Sequence, residues 1–506
     1  MTQVIGIDLG TTFSAAAAAV PGGAQPEVLT NRDGDRLTPS IVLFESPDQI
    51  LVGKLAQHSM AMQPEDCVQF VKRRMGEANP VYVDQRGKEY RAEHVSSLIL
   101  RRLAEDAAAT LGTPVRDVVI TVPAYFDDAR RKATRDAGEL AGLNVLRLIN
   151  EPTAAALAYG LKTGATGTCF VFDLGGGTFD VTVMRAAGGT EFEVVATDGD
   201  RNLGGFDFDN RLIAYVQGRL TEQGGPDLDD DPQLSVDLRE RCEAAKIRMS
   251  SVAESTIHLS AGGRAYRFPV TRDGFESMTA DLLDRIEMLT ESVLDQAGLT
   301  WAEIDKVLLV GGSTRMPMIR QLVRHLSGKD PEPGVNPDEA VAIGAAILAG
   351  QLQAEQAGQA PAIPVTVVDV TSQALGEILL DEETGRRVNV VIIPRNSRIP
   401  CQHEALSFTI YHHQGRIDIQ VTEGEDEDPE YVAVLHSTHM ALPPGLPKGA
   451  PIRTVMSYDV DGVVHVELFD VTNNRSLGEI ELDRPNNLSA DDLDRGRAAL
   501  RTLGLQ

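Results

Sequence analysis

The chain has 506 residues, 42% of them hydrophobic and 24% charged, an ordinary globular balance with enough apolar material for two to four domains. A net charge of −27 argues against nucleic acid or an anionic membrane as a general partner. There is no uncharged apolar stretch of about 18 residues, no basic segment before Asp8, and no pair among Cys67, Cys169, Cys242 and Cys401 at metal or redox spacing, so a cytoplasmic protein with isolated thiols is expected.

From Val4 to about Gly350 short apolar runs alternate with helical spacing, the pattern of an α/β core. In chain order, strands are expected at 4–9, 118–122, 169–174, 179–184 and 306–310. Helices are expected at 94–111, 129–141, 153–161, 238–250 and 282–297. The stretch VNPDEAVAIGAAILAG predicts a helix capped by Asn336, with Pro337 first and Glu339 closing a capping box. QLQAEQAGQAPAIP, at 351–364, reads as a helix end and a linker. The pattern then becomes all-β, with Asp461-Gly462 as a hairpin turn, and helical spacing returns only at 488–503, capped by Ser489.

IGIDLGTTFS, beginning at Ile5, has a second copy about 165 positions later in FVFDLGGGTFDVTV. Allowing one extra glycine in the second copy aligns Asp8 with Asp173, Gly10 with Gly175, Thr12 with Thr178, Phe13 with Phe179 and Ser14 with Asp180. Each copy is a strand, an Asp, a glycine turn and a strand. Such a hairpin tip offers backbone N–H groups and hydroxyls to phosphate oxygens, and the Asp can hold the waters of a Mg²⁺ ion. Two of them facing each other would grip a polyphosphate, and neither has the spacing of a Walker or dinucleotide loop. A third glycine turn, VLLVGGSTR at 307–315, adds backbone, hydroxyl and guanidinium groups suited to a nucleoside.

Together with VITVPAYFDDARRKATRDAGELAGL, RLINEPTAAALAYG, GDRNLGGFDFDNRL, DVTSQALGE and IIPRNSRIP, these turns resemble the seventy-kilodalton heat-shock chaperones of the DnaK type, over nearly the whole chain. The resemblance implies an α/β two-lobed actin-like ATPase domain over 1–352, a linker at 353–369, an all-β sandwich peptide-binding domain over 370–486 and a short C-terminal helix at 487–506 with the lid missing. It implies a slow ATPase using ATP/ADP and Mg²⁺, with K⁺ an open option. Lys72, Glu151, Asp173 and Thr178 match the catalytic positions, and Asp8 and Asp173 those that hold the hydrated metal. Gly10, Thr11, Thr12, Phe13, Gly175, Gly176, Gly177, Thr178, Gly204 and Gly205 match the phosphate grip. Glu243, Lys246 and Ser250 match one side of the adenosine clamp, and Gly311, Gly312, Ser313, Arg315 and Asp338 the other. Pro123, Arg131, Arg147 and Asp369 match positions that couple the domains.

The chain departs from the family pattern in several places. Thr366 stands in an otherwise apolar linker, Phe206 replaces the usual acid, Ile247 replaces an arginine of some relatives, and the segment between Lys72 and Val95 is short. The β-domain loop at 379–387, LLDEETGRR, is longer than expected. The expected function is ATP-dependent chaperoning, with nucleotide controlling the β-domain's affinity for extended apolar peptides. The missing lid would give fast exchange. The expected partners are a J-domain protein and a nucleotide exchange factor, acting on a monomer. The alternative is an ATP-switched regulatory module for a specific partner.

Overall fold

The computed structural model describes residues 3–19, 25–164, 166–228, 230–333, 336–381, 384–480, 482 and 487–506. They form two compact units: Met1–Ala124 with Ala133–Val367 and Ser489–Gln506, and Tyr125–Lys132 with Val368–Leu488. Residues 382 and 383 of the expected 379–387 loop, and the expected boundary at 486, lie outside the described residues. No described helix is long and apolar enough to cross a membrane.

In the first unit, β1 (Gln3–Asp8) runs antiparallel to β2 (Phe13–Ala18) and parallel to β3 (Val115–Val122), with β4 (Asn144–Asn150) parallel beyond β3. Helix α1 (Glu151–Thr163) follows β4 directly. The plan then repeats. Strand β5 (Gly167–Leu174) is antiparallel to β6 (Phe179–Ala187), which pairs with β7 (Glu191–Asp200), and parallel to β8 (Lys306–Val310) on its other side. Between β7 and β8 lie α2 (Gly205–Glu222) and α3 (Pro232–Met249), and after β8 comes α4 (Ala340–Gln356). The duplication visible in the sequence is therefore a duplication of strand order.

The hairpin register corrects the alignment of the two copies. Asp8 lies opposite Ala15, and Asp173 lies opposite Asp180, so both chains reverse after the same number of residues and no extra glycine is inserted. Phe13 and Phe179 are not equivalent: Phe13 is 44% exposed at the hairpin tip, whereas Phe179 is fully buried. A backbone ladder fixes register by paired hydrogen bonds, and the glycine count is a poorer guide.

The alanine run of β2 has a packing reason. Ala15 and Ala17 are buried against Ala342 and Ala346 of α4. Closer still, a Cβ on Gly6 would stand 2.2 Å from the Ala346 nitrogen, and one on Gly344 would stand 1.8 Å from the Ala154 carbonyl oxygen of α1. Helix α4 thus lies against β1 and α1 backbone to backbone, which only small residues permit.

Helix α4 begins at Ala340, later than the expected cap at Asn336. Residues 336–339 instead make a turn in which the Asn336 carbonyl accepts from the N–H groups of Glu339 and Ala340. Glu339 closes no capping box; it pairs with Arg36 at 2.8 Å. Other helix starts shift earlier. Helix α3 begins at Pro232, where the Asp231 carboxylate caps the Leu234 N–H at 3.0 Å.

The second unit holds two four-stranded antiparallel sheets. Strand Pro451–Tyr458 alternates half-buried and buried positions, and its Ile452 and Met456 meet Leu375, Ile419, Val466 and Leu468 in one core. Asp461-Gly462 forms the expected turn, with Gly462 at φ 75° donating to the Asp459 carbonyl. Helix Ala490–Arg501, capped by Ser489 and Asp492, belongs to the first unit, where Arg101 donates to the carbonyls of Leu500 and Leu503. Gly504 and Leu505 then pair in parallel with strand Gln49–Val52.

The α4 contact makes a controlled comparison. Gly344→Ala drives a methyl into a carbonyl and is expected to cost about 1–3 kcal/mol or more. Gly350, on the same helix with nothing within 4 Å of a new Cβ, should gain up to about 1 kcal/mol as alanine. Calorimetric midpoints of the two variants check this, and equal shifts would refute the packing argument.

Candidate nucleotide site

The two hairpin tips meet, and this explains two of the three glycines. A Cβ on Gly176 would lie 2.0 Å from the Thr12 hydroxyl, and one on Gly177 would lie 2.5 Å from the Thr11 methyl. The first hairpin's threonines are therefore what approaches the second hairpin's backbone. Gly204 presses on Gly177 from the other side, its Cβ position 2.6 Å from the Gly177 nitrogen. The second tip is further tied by N–H groups of Gly205 and Phe206 donating to the carbonyls of Gly175 and Gly176, and by the Ser313 hydroxyl donating to Gly175 at 2.8 Å.

Beside these tips lies a cavity of about 370 Å³. Its floor carries Asp8 from the end of β1, Asp173 from β5, Glu151 from the first position of α1, and Lys72 from the short 3-10 helix Val71–Arg74. All four side chains are buried or nearly so, and the Lys72 ammonium donates to Glu151. Gly10, Thr11, Thr12, Phe13, Gly175, Gly176 and Thr178 line the cavity next to them.

One wall farther along comes from α3 and its C-cap, where Glu243, Lys246 and the capping Ser250 fall on one side. Facing them are Gly311, Gly312, Ser313 and Arg315 after β8, and Asp338 from the turn before α4, with Arg315 paired to Asp338. Gly205 also lines the cavity; Gly177 and Gly204 shape it from behind.

The four coupling candidates are not brought to the cavity. Pro123 follows β3, and Arg147 lies on β4. Arg131 falls in the second unit, where its guanidinium donates to the carbonyls of Phe126 at 3.0 Å and Asp461 at 3.3 Å. Asp369 lies on strand Thr366–Val370 and accepts from the N–H of Val370 at 2.9 Å.

Asp209 was missed from the sequence. It lines the cavity and holds Lys246 at 2.7 Å, one turn after Gly205 on α2. Its place four residues past Gly205 was the available signal. Burial pushes its carboxyl up to about 6, against the pull of Lys246. Phe70, also at the cavity, gave no sequence signal.

Three carboxylates around one ammonium leave the floor short of positive charge. Burial and then Glu151 push Asp8 up to about 7, and burial with Glu151, Asp180 and Asp8 holds Asp173 well above the usual carboxylate range. Burial opposes the charge on Lys72, but Glu151, Asp8 and Asp173 together outweigh it and keep the ammonium protonated. Such a floor fits a divalent cation. Among the described residues no group of three His, Cys, Asp or Glu side chains is placed to hold a metal ion directly.

Two sheets of repeated strand order, with one cavity between their Asp-bearing hairpins, define a two-lobed nucleotide-binding protein of the actin-like ATPase class. The comparisons narrow the class. The Hsp70 protein family model matches residues 4–500. Chaperone protein DnaK of Thermotoga neapolitana is 41% identical over 501 residues, which span 97% of this chain and 82% of the relative. The DnaK proteins of Thermotoga petrophila and Thermotoga maritima match to the same extent. The chain belongs to the Hsp70 family, a family of ATPases with actin-like lobes and a β-sandwich substrate domain.

The raised carboxyl of Asp8 makes stability depend on pH. The folded state keeps a proton that the unfolded chain loses between pH 3.8 and about 7, so stability falls as pH rises through that window. Without nucleotide or Mg²⁺, Asp8→Asn should raise the thermal midpoint at pH 8 by an amount worth on the order of 4 kcal/mol, and leave it nearly unchanged at pH 4. An equal shift at both pH values would remove the electrostatic explanation.

Proposed function

We propose that this chain is an ATP-dependent molecular chaperone in which nucleotide in the two-lobed cavity controls peptide affinity in the β-sandwich unit. The observation carrying the reading is the convergence of Lys72, Glu151, Asp8 and Asp173 on the cavity floor beside the two hairpin tips. Family membership supports the chaperone activity.

The cavity residues divide the work by their chemistry. Backbone N–H groups and hydroxyls of Thr11, Thr12 and Thr178 hold phosphate oxygens at the glycine tips, and Glu243, Lys246, Ser250, Ser313 and Arg315 hold the nucleoside. Lys72 is charged throughout, so it acts by neutralising phosphoryl oxygens and fixing the attacking water, never as a base. Glu151, paired with Lys72, orients that water. Asp8 and Asp173 hold the water shell of magnesium, which when bound neutralises phosphate charge; K⁺ is an optional second ion. The process is positioning and charge neutralisation, which suits slow turnover that times a conformational cycle.

In this reading Pro123, Arg131, Arg147 and Asp369 carry the nucleotide's effect to the β-sandwich unit. Clients are unfolded or extended apolar peptides, a J-domain protein and an exchange factor tune the cycle, and the protein works as a cytoplasmic monomer.

Lys72→Ala is expected to leave ATP binding within about threefold while lowering turnover by roughly 10² or more, because it removes charge needed chiefly in the transition state. Equilibrium nucleotide binding and steady-state ATPase, with and without an unfolded peptide, check this. Unchanged turnover would end the site assignment. Turnover indifferent to any unfolded peptide would favour a module dedicated to one partner.

A further inference from the structure

The turn that presents Lys72 has an unfavourable backbone, and the residues that hold it sit across the cleft. Phe70 has φ 55°, a left-handed conformation that a bulky aromatic residue adopts only when its surroundings impose it. It opens the short helix Val71–Arg74, whose second residue is Lys72.

The ring of Phe70 meets Phe206, the second residue of α2, edge to face, with centroids 4.6 Å apart and planes 60° apart. Two guanidinium groups attend the same Phe206 ring. Arg73, from the lysine's own turn, lies 4.8 Å from the ring centre, and Arg239 of α3 lies 4.6 Å from it and 5.8 Å from that of Phe70. Each arginine is fixed in turn. Arg73 reaches one oxygen of Asp207 at 3.2 Å while the other oxygen accepts from the Gly204 N–H, and Arg239 donates to Asn210 at 2.9 Å. Both aromatic rings border the cavity.

We infer that Phe206 is a positioning residue for Lys72, holding the Phe70 turn through an aromatic and guanidinium stack that spans the cleft. The stack forms only when α2 and α3 close on that turn. Alignment of the ammonium with Glu151 is thereby tied to closure of the cleft. An acid at 206 would make ion pairs that salt weakens, whereas a ring offers its π-cloud to two cations and an edge contact to Phe70. The inference rests on the role in phosphoryl transfer proposed above for Lys72.

The test is single-turnover ATP hydrolysis, with ADP affinity measured in parallel, on full-length Phe206→Ala, Phe206→Tyr, Lys72→Ala and the Lys72→Ala/Phe206→Ala double variant. Phe206→Ala should slow hydrolysis by roughly 10- to 100-fold, the size expected when a catalytic group is misplaced by about 1 Å, while ADP affinity changes by less than about fivefold. Phe206→Tyr, which keeps the ring, should stay within about twofold of the parent. In the Lys72→Ala background the Phe206 substitution should cost nothing further, since a residue acting through Lys72 has no second route. Normal hydrolysis by Phe206→Ala, or the same slowing with and without Lys72, would overturn the inference. If Lys72→Ala alone keeps normal turnover, the underlying site assignment falls, and the inference with it. Should Phe206→Ala not fold, Phe206→Leu, which keeps apolar volume and loses the π-cloud, carries the same comparison.

Discussion

The structure of the first unit depends on holding three buried carboxylates and one ammonium together at the floor of a cleft. Left to itself such a set is costly, because each charge loses its water and the acids repel. Each of the four comes from a different element, and those elements come from both halves of the duplication: Asp8 from β1, Asp173 from β5, Glu151 from the start of α1 and Lys72 from a separate turn. Their meeting requires α4 to lie against β1 and α1 at backbone contact, which Gly6, Gly344 and the alanines of β2 make possible. Gly6 lies two residues before Asp8 and Ala15 lies opposite it, so the small residues and the charges of the floor share one strand pair.

The site follows from this requirement. Raised carboxyls on Asp8 and Asp173 mark a floor short of positive charge, which a hydrated divalent ion would supply. Lys72 contributes a permanent charge because its acidic neighbours outweigh the cost of its burial. The glycines at the second tip serve the cavity less directly than their number suggested. Gly176 and Gly177 lack side chains because Thr11 and Thr12 occupy that space, so the two tips form one continuous surface of backbone and hydroxyl groups.

Local signals in the chain carried much of this. The strands bearing Asp8 and Asp173, the helix after Glu151, the side of α3 and its C-cap bearing Glu243, Lys246 and Ser250, and the Ser489 cap are each set by neighbours within a few residues. Where local reading failed, a distant partner had decided the outcome. Asn336 does not cap α4, because the turn there places Asp338 against Arg315 and Glu339 against Arg36. The two hairpins proved equal in length once the Asp173–Asp180 and Asp8–Ala15 pairs were placed.

The sequence by itself determined the duplication, the Asp-glycine tips, the change to an all-β pattern beyond the linker and the identity of the family, since these rest on spacing and motif. Tertiary structure alone decided that Asp209 braces Lys246, that Phe206 gathers Phe70, Arg73 and Arg239, and that Gly504 and Leu505 add a strand beside Gln49–Val52. Such contacts join residues tens to hundreds of positions apart. Neither hydrophobic period nor capping chemistry encodes them, because they exist only once both halves have packed and distant side chains compete for the same space.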